Sequence, residues 1–62
     1  MSERLMRIKN VIEMTGKSRS SIYADIASNK FPKPILIGAR SVAWRLSSIE
    51  RWIQNKIDLS ML

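Results

Sequence analysis

Ile8-Lys9-Asn10-Val11-Ile12-Glu13-Met14-Thr15-Gly16-Lys17-Ser18-Arg19-Ser20-Ser21-Ile22-Tyr23 is the stretch from which the architecture can be read. Ile8, Val11, Ile12 and Thr15 fall at i, i+3, i+4 and i+7, the apolar stripe of a short amphipathic helix, which the spacing predicts over residues 9–15. Gly16 stands where a helix end wants a positive φ. Ser18 then precedes Ile22 and Ile26 at four-residue spacing, and its hydroxyl suits the cap of a second helix over 19–28. Asn29 tolerates the left-handed conformation at that helix end, and Pro32 and Pro34 forbid continuation. Two helices joined by about three residues make a helix-turn-helix.

Downstream, Ile35-Leu36-Ile37 and Val42-Ala43-Trp44-Arg45-Leu46 are β-branched and aromatic runs on either side of Gly38-Ala39-Arg40-Ser41. They predict a hairpin with a loop of roughly four residues, Val42, Trp44 and Leu46 on one face and Ala43 and Arg45 on the other. Ser47-Ser48-Ile49-Glu50 has the spacing of a capping box, and Ile49, Trp52, Ile53 and Ile57 continue as one face of a third helix to about residue 56. The expected fold is mainly α with a small β-hairpin, a winged helix-turn-helix. It forms one domain over 1–62, with its core in about 5–57 and a short apolar tail at 58–62.

Composition narrows the function. The chain has 62 residues, no Cys and no His. Disulfide and zinc scaffolds, Cys or His nucleophiles, Ser-His-Asp triads and haem ligation are therefore excluded. Five scattered carboxylates and two glycines, Gly16 and Gly38, offer neither a paired-carboxylate site nor a Gly-rich phosphate loop. No enzyme activity, cofactor or metal is expected. The net charge is +6, and the excess is concentrated: Lys17, Arg19, Lys30, Lys33, Arg40 and Arg45 face only Asp25 within residues 17–45. A polyanion is the natural partner of such a field. No apolar run approaches the ~20 residues of a membrane span, and Met1-Ser2-Glu3-Arg4 does not resemble a signal peptide, so a cytoplasmic protein without membrane association is expected.

In a helix-turn-helix the start of the second helix meets the major groove. Here it carries Ser18, Arg19, Ser20, Ser21 and Tyr23, and Arg19, Ser20, Tyr23 and Ala24 lie off the Ile22 and Ile26 stripe. Arg19 suits a guanine edge; the serines and free helix-start N–H groups suit phosphate. The plain alternative is a set of ordinary helix-start serines beside a solvated arginine. Arg40, in the loop between Gly38 and Ser41, can reach a minor groove or a phosphate, or can simply be solvated. Lys30 and Lys33 flank Phe31-Pro32 and can neutralise phosphates or serve as surface lysines. Trp44 and Trp52 invite a base-stacking reading, but both share apolar faces and read as core; the methionines read as gap fillers.

Residues 7–23, Phe31-Pro32-Lys33-Pro34 and Gly38-Ala39-Arg40-Ser41-Val42-Ala43-Trp44-Arg45, in that order, resemble the AlpA family of small phage and prophage regulators, over about residues 5–57. The resemblance implies an excisionase-like winged helix-turn-helix that binds double-stranded DNA through Ser18–Tyr23 and a wing at Gly38–Arg40; Lys30, Lys33 and Arg45 join the expected DNA-binding set as basic flanks. The expected role is sequence-specific transcriptional regulation in a phage or other mobile element. One rival is a recombination directionality factor that bends DNA for an integrase partner; another is a basic inhibitor that docks on an acidic protein. The tail residues Leu59, Met61 and Leu62 suit self-association or a protein partner.

Overall fold

The computed structural model describes residues 4–61. Met1 and Leu62, given roles above as gap filler and tail residue, lie outside them. Along the chain come β1 (Leu5–Met6), α1 (Ile8–Thr15), α2 (Arg19–Ala27), β2 (Ile35–Leu36), β3 (Val42–Arg45) and α3 (Leu46–Ser60). Among the described residues this is three helices and one antiparallel sheet in the order β1-β3-β2.

The three boundaries from the end of α1 to the end of α2 each have a local cause. Gly16, at φ 76°, donates its N–H to the Ile12 carbonyl and closes α1. The Thr15 hydroxyl donates to the Val11 carbonyl at 2.7 Å and accepts from the Lys17 N–H at 3.3 Å. Ser18 caps α2, its Oγ accepting the Ser21 N–H at 3.2 Å. At the other end of α2, Asn29 (φ 59°) donates to Ile26 and Lys30 donates to Asp25. This pair of bonds around a left-handed residue is a Schellman motif, with Asn in the place glycine usually takes.

The hairpin pairs Ile35 with Ala43 and Leu36 with Val42. The Ile37 N–H continues the ladder to the Ser41 carbonyl at 2.9 Å, which shortens the turn to Gly38, Ala39 and Arg40. Ala43, expected on the outer face, is fully buried on the central strand opposite Ile35, where a methyl group is short enough to be covered by its neighbours. Strand β1 adds to that hairpin. It sets Leu5 against Arg45 and buried Met6 against Trp44, turning the expected two-stranded hairpin into a three-stranded sheet.

That extra strand also changes how α3 begins. Helix α3 starts at Leu46 with Arg45 as its cap residue and no side-chain cap hydrogen bond. The Ser47–Glu50 capping box is thus corrected: the helix starts one residue earlier, so Ser47 is its second residue and not its cap, and the orphan N–H of the first residue, Leu46, is taken by the Arg4 carbonyl at 2.8 Å. The helix also runs four residues past the expected end, so most of the 58–62 segment is helical. No Gly or Pro interrupts it, and Gln54 donates to Asp58 one turn on at 3.0 Å.

The core is Met6, Val11, Ile22, Phe31, Trp44 and Ile49, with Ile8, Ile12, Ile26, Val42, Leu46, Trp52 and Ile53 packed around it. Trp44, completely buried, is its centre, while Trp52 is half-buried. Both indoles donate to the α2–β2 connection, Trp44 to the Pro32 carbonyl at 2.9 Å and Trp52 to the Lys30 carbonyl at 3.0 Å. A proline-bearing segment, short of N–H donors, is thereby held through its carbonyls.

Candidate nucleic-acid interface

Helix α2 turns Ile22 and Ile26 to the core and leaves Arg19, Ser20, Tyr23, Ala24 and Ala27 exposed, one solvent-facing side with its polar groups at the helix start. Arg19 and Tyr23 are four residues apart and share that face. The first rung to reach α2 joins the Ile22 N–H to the Ser18 carbonyl. The N–H groups of Arg19 and Ser20 therefore have no acceptor inside the helix and point outward at its positive end. Ser18 and Ser21, both exposed, are linked by a 3.1 Å hydroxyl hydrogen bond.

Tyr23 joins this face to the hairpin. Its ring meets Trp44 edge-on, with centroids 6.3 Å apart, while the residue stays 39% exposed. One side of the ring packs and the rest meets solvent, so α2 and the wing strand β3 keep a fixed relation. At the wing tip Gly38, Ala39 and Arg40 are all exposed. Gly38 does not have a positive φ, and a Cβ built on it would touch only Ser41, at ordinary contact distance. The fold does not require glycine there. Glycine where the backbone demands none suits close approach by a ligand.

The remaining candidates are placed differently. Arg45 ends β3 opposite Leu5 and is exposed. Lys33 is exposed between half-buried Pro32 and Pro34. Lys30 lies beyond the C-terminal end of α2, at the opposite end from Arg19. Sequence reasoning passed over Arg4 and Arg7, exposed residues that bracket β1 and are carried to the sheet edge beside Arg45. Two residues of strand are too few to show alternation.

Lys17, in the turn, forms a 2.8 Å ion pair with Asp25. The hydrogen bond from Lys17 holds the Asp25 carboxyl below its ordinary range, against partial desolvation that pushes it up; the charges of Lys17, Lys30 and Lys56 add to the lowering. Among the described residues no cluster of three or more acidic, His or Cys side chains is placed to hold a metal, and no helix is long and apolar enough to cross a membrane.

A helix-turn-helix, a sheet with a projecting turn between β2 and β3, and a closing helix define a winged helix-turn-helix protein. The chain belongs to the AlpA family: the family model described as prophage CP4-57 regulatory protein (AlpA) matches residues 4–57. It is 36% identical over 55 residues to the ORF88 protein of Enterobacteria phage P4, covering 89% of this chain and 62% of that protein. It is 31% identical over 62 residues to the DNA-binding transcriptional activator AlpA of Escherichia coli (strain K12), covering 90% of this chain and 89% of the relative. The chain thus spans somewhat under two thirds of the phage P4 protein.

Proposed function

We propose that this protein is a double-stranded DNA-binding transcriptional regulator of a phage, prophage or related mobile element. The observation that carries the reading is the exposed Arg19–Ser20–Tyr23 face, tied through the Tyr23–Trp44 contact to the strand that bears the wing. Its relative in E. coli, named as a DNA-binding activator, supports the same class. Arg19 reads a base edge in the major groove; Ser18, Ser20, Ser21 and the free helix-start N–H groups hold phosphate. The Gly38–Arg40 wing lies against the neighbouring backbone, with Lys33 and Arg45 flanking. Lys30 lines a separate groove between the α2–β2 connection and α3.

Salt titrations on a cognate site and on scrambled DNA test this. Arg19→Ala should lose roughly 1–3 kcal/mol on the cognate site and relax preference at one base position. Arg40→Ala should weaken both DNAs alike and lower the slope of log affinity against log salt by about one. Wild-type affinity that is flat with salt would overturn DNA binding and favour the protein-inhibitor reading.

A second reading, the recombination directionality factor, is favoured by exposed Ile57, Leu59 and Met61 at the end of α3, which suit contact between copies on adjacent sites. It requires cooperative occupancy of two-site DNA that is lost when residues 58–62 are removed, with one-site affinity retained.

A further inference from the structure

Past the C-terminal end of α2, away from the face just described, the connection to β2 and helix α3 enclose an open groove of about 500 Å³. Its floor is aromatic: Phe31 and Trp52 meet edge to face with centroids 5.0 Å apart, and Pro32 continues the apolar surface. Its rim is polar and basic, with Lys30 on one wall and Arg51 and Asn55 on the other. Among the described residues no carboxylate lines it. Lys56 sits 5.4 Å from the Trp52 ring centroid and Lys17 5.9 Å, within cation–π range. Asp25 neutralises Lys17, but among the described residues Lys30, Arg51 and Lys56 have no carboxylate at ion-pair distance.

We propose that this groove is a docking site for an acidic peptide segment of a partner protein, one that places an aromatic or aliphatic side chain on the Phe31–Trp52 floor and carboxylates against Lys30, Arg51 and Lys56. Charge complementarity selects the occupant: Lys30 and Arg51 line an apolar floor, Lys56 stands beside its Trp52 ring, and Asp25, whose carboxylate feels Lys30 and Lys56, is itself held in the ion pair with Lys17. A duplex, whose bases are stacked inside it, would use the cations but has nothing to place on Phe31 and Pro32, whereas a segment alternating acidic and apolar residues uses both. The volume falls in the range of sites that hold a few side chains. The placement fits as well: α2 is nine residues long, so the groove lies roughly 13 Å along the helix from its start. A partner can therefore be held while the start of α2 is occupied.

The probe is a fluorescein-labelled synthetic peptide alternating Asp with Leu and Phe, titrated with the full chain by anisotropy, with the two indole N–H resonances followed by NMR. Binding should shift the Trp52 indole signal and leave that of buried Trp44 in place. Arg51→Glu, at an exposed position, should weaken binding roughly tenfold without altering the melting curve. Lys9→Glu, the same charge change at an exposed site on α1, should leave binding unchanged. The peptide should stay bound in the presence of saturating duplex DNA. Equal loss in the two variants would reduce the attraction to net charge and overturn the proposal. Release of the peptide by duplex would assign the groove to DNA, and a Trp52 shift driven by protein concentration alone would assign it to a second copy; either result overturns it. Peptide binding is measured without duplex first, so its failure and a failure of DNA binding are read separately.

Discussion

The two turns that carry the chain's glycines are built on opposite terms. In Gly16-Lys17-Ser18 the backbone needs its glycine, at φ 76°, and the side chains on either side are tied down by the Thr15, Ser18–Ser21 and Lys17–Asp25 contacts. In Gly38-Ala39-Arg40 the backbone needs no glycine, and all three residues face solvent. The first turn spends its residues on holding two helices at an angle. The second leaves its residues for whatever approaches. A glycine read from sequence therefore carries two different meanings, and only its φ and surroundings tell them apart.

The sharpest way to break this contrast is to remove the core on which both turns rest. Trp44 is completely buried, holds the Pro32 carbonyl and braces Tyr23, so Trp44→Ala should cost about 3–5 kcal/mol. That is comparable with the whole stability expected of so small a domain. Circular dichroism should show an unfolded chain at room temperature; a cooperative melt near that of the parent would mean that the two turns do not share a core.

The glycines themselves come next. Gly16→Ala should destabilise by about 1–2 kcal/mol, the cost of a left-handed L-residue. Gly38→Ala should leave stability unchanged or raise it by about 0.4–1 kcal/mol, through a stiffer unfolded chain, while weakening duplex binding. Urea melts and DNA titrations of the pair read both effects, and equal destabilisation would erase the distinction between the turns.

Smaller still is the cap. Ser18→Ala removes the acceptor of the Ser21 N–H and should cost about 1 kcal/mol, whereas Ser18→Gly should cost only a few tenths. Urea denaturation separates the two.

The smallest effect concerns the Lys17–Asp25 pair, which is partly exposed and so contributes modestly. Asp25 has its folded-state pKa lowered from 3.8. Its contribution is therefore present at pH above that ordinary value and fades as pH falls through the lower folded-state value. Asp25→Asn should melt below the parent at neutral pH and approach it under acid. A gap that widens on acidification would show that the ion pair does not act as described.

The extent to which the fold is legible without coordinates varies from element to element. Helices α1 and α2 are legible because Ile8, Val11, Ile12, Ile22 and Ile26 repeat with helical spacing and Gly16, Ser18 and Asn29 punctuate them. The first candidate face, Arg19 to Tyr23, follows from the same periodicity, since residues off the apolar stripe must face outward. Phe31 gave less away: one aromatic among prolines has no period, yet it is buried. The groove residues were half visible, because Trp52 and Lys56, like Arg51 and Asn55, are four apart on one helix. Their pairing with Lys30 and Phe31 spans some twenty positions, and no local pattern reports it.

Local chemistry in the sequence therefore determined the helix-turn-helix, the wing hairpin, the basic character and the outward face of α2. Each rests on backbone preference or on a period of two or 3.6 residues within a short window. Tertiary structure alone decided the rest. Strand β1 exists because β3 has a second edge to fill, and α3 begins at Leu46, ahead of the expected cap at Ser47, with the Arg4 carbonyl taking up its first N–H. Whether a glycine, an indole or a lysine serves the fold or a partner depends on neighbours distant in the chain. Long-range packing places those neighbours, and a sequence window cannot see them.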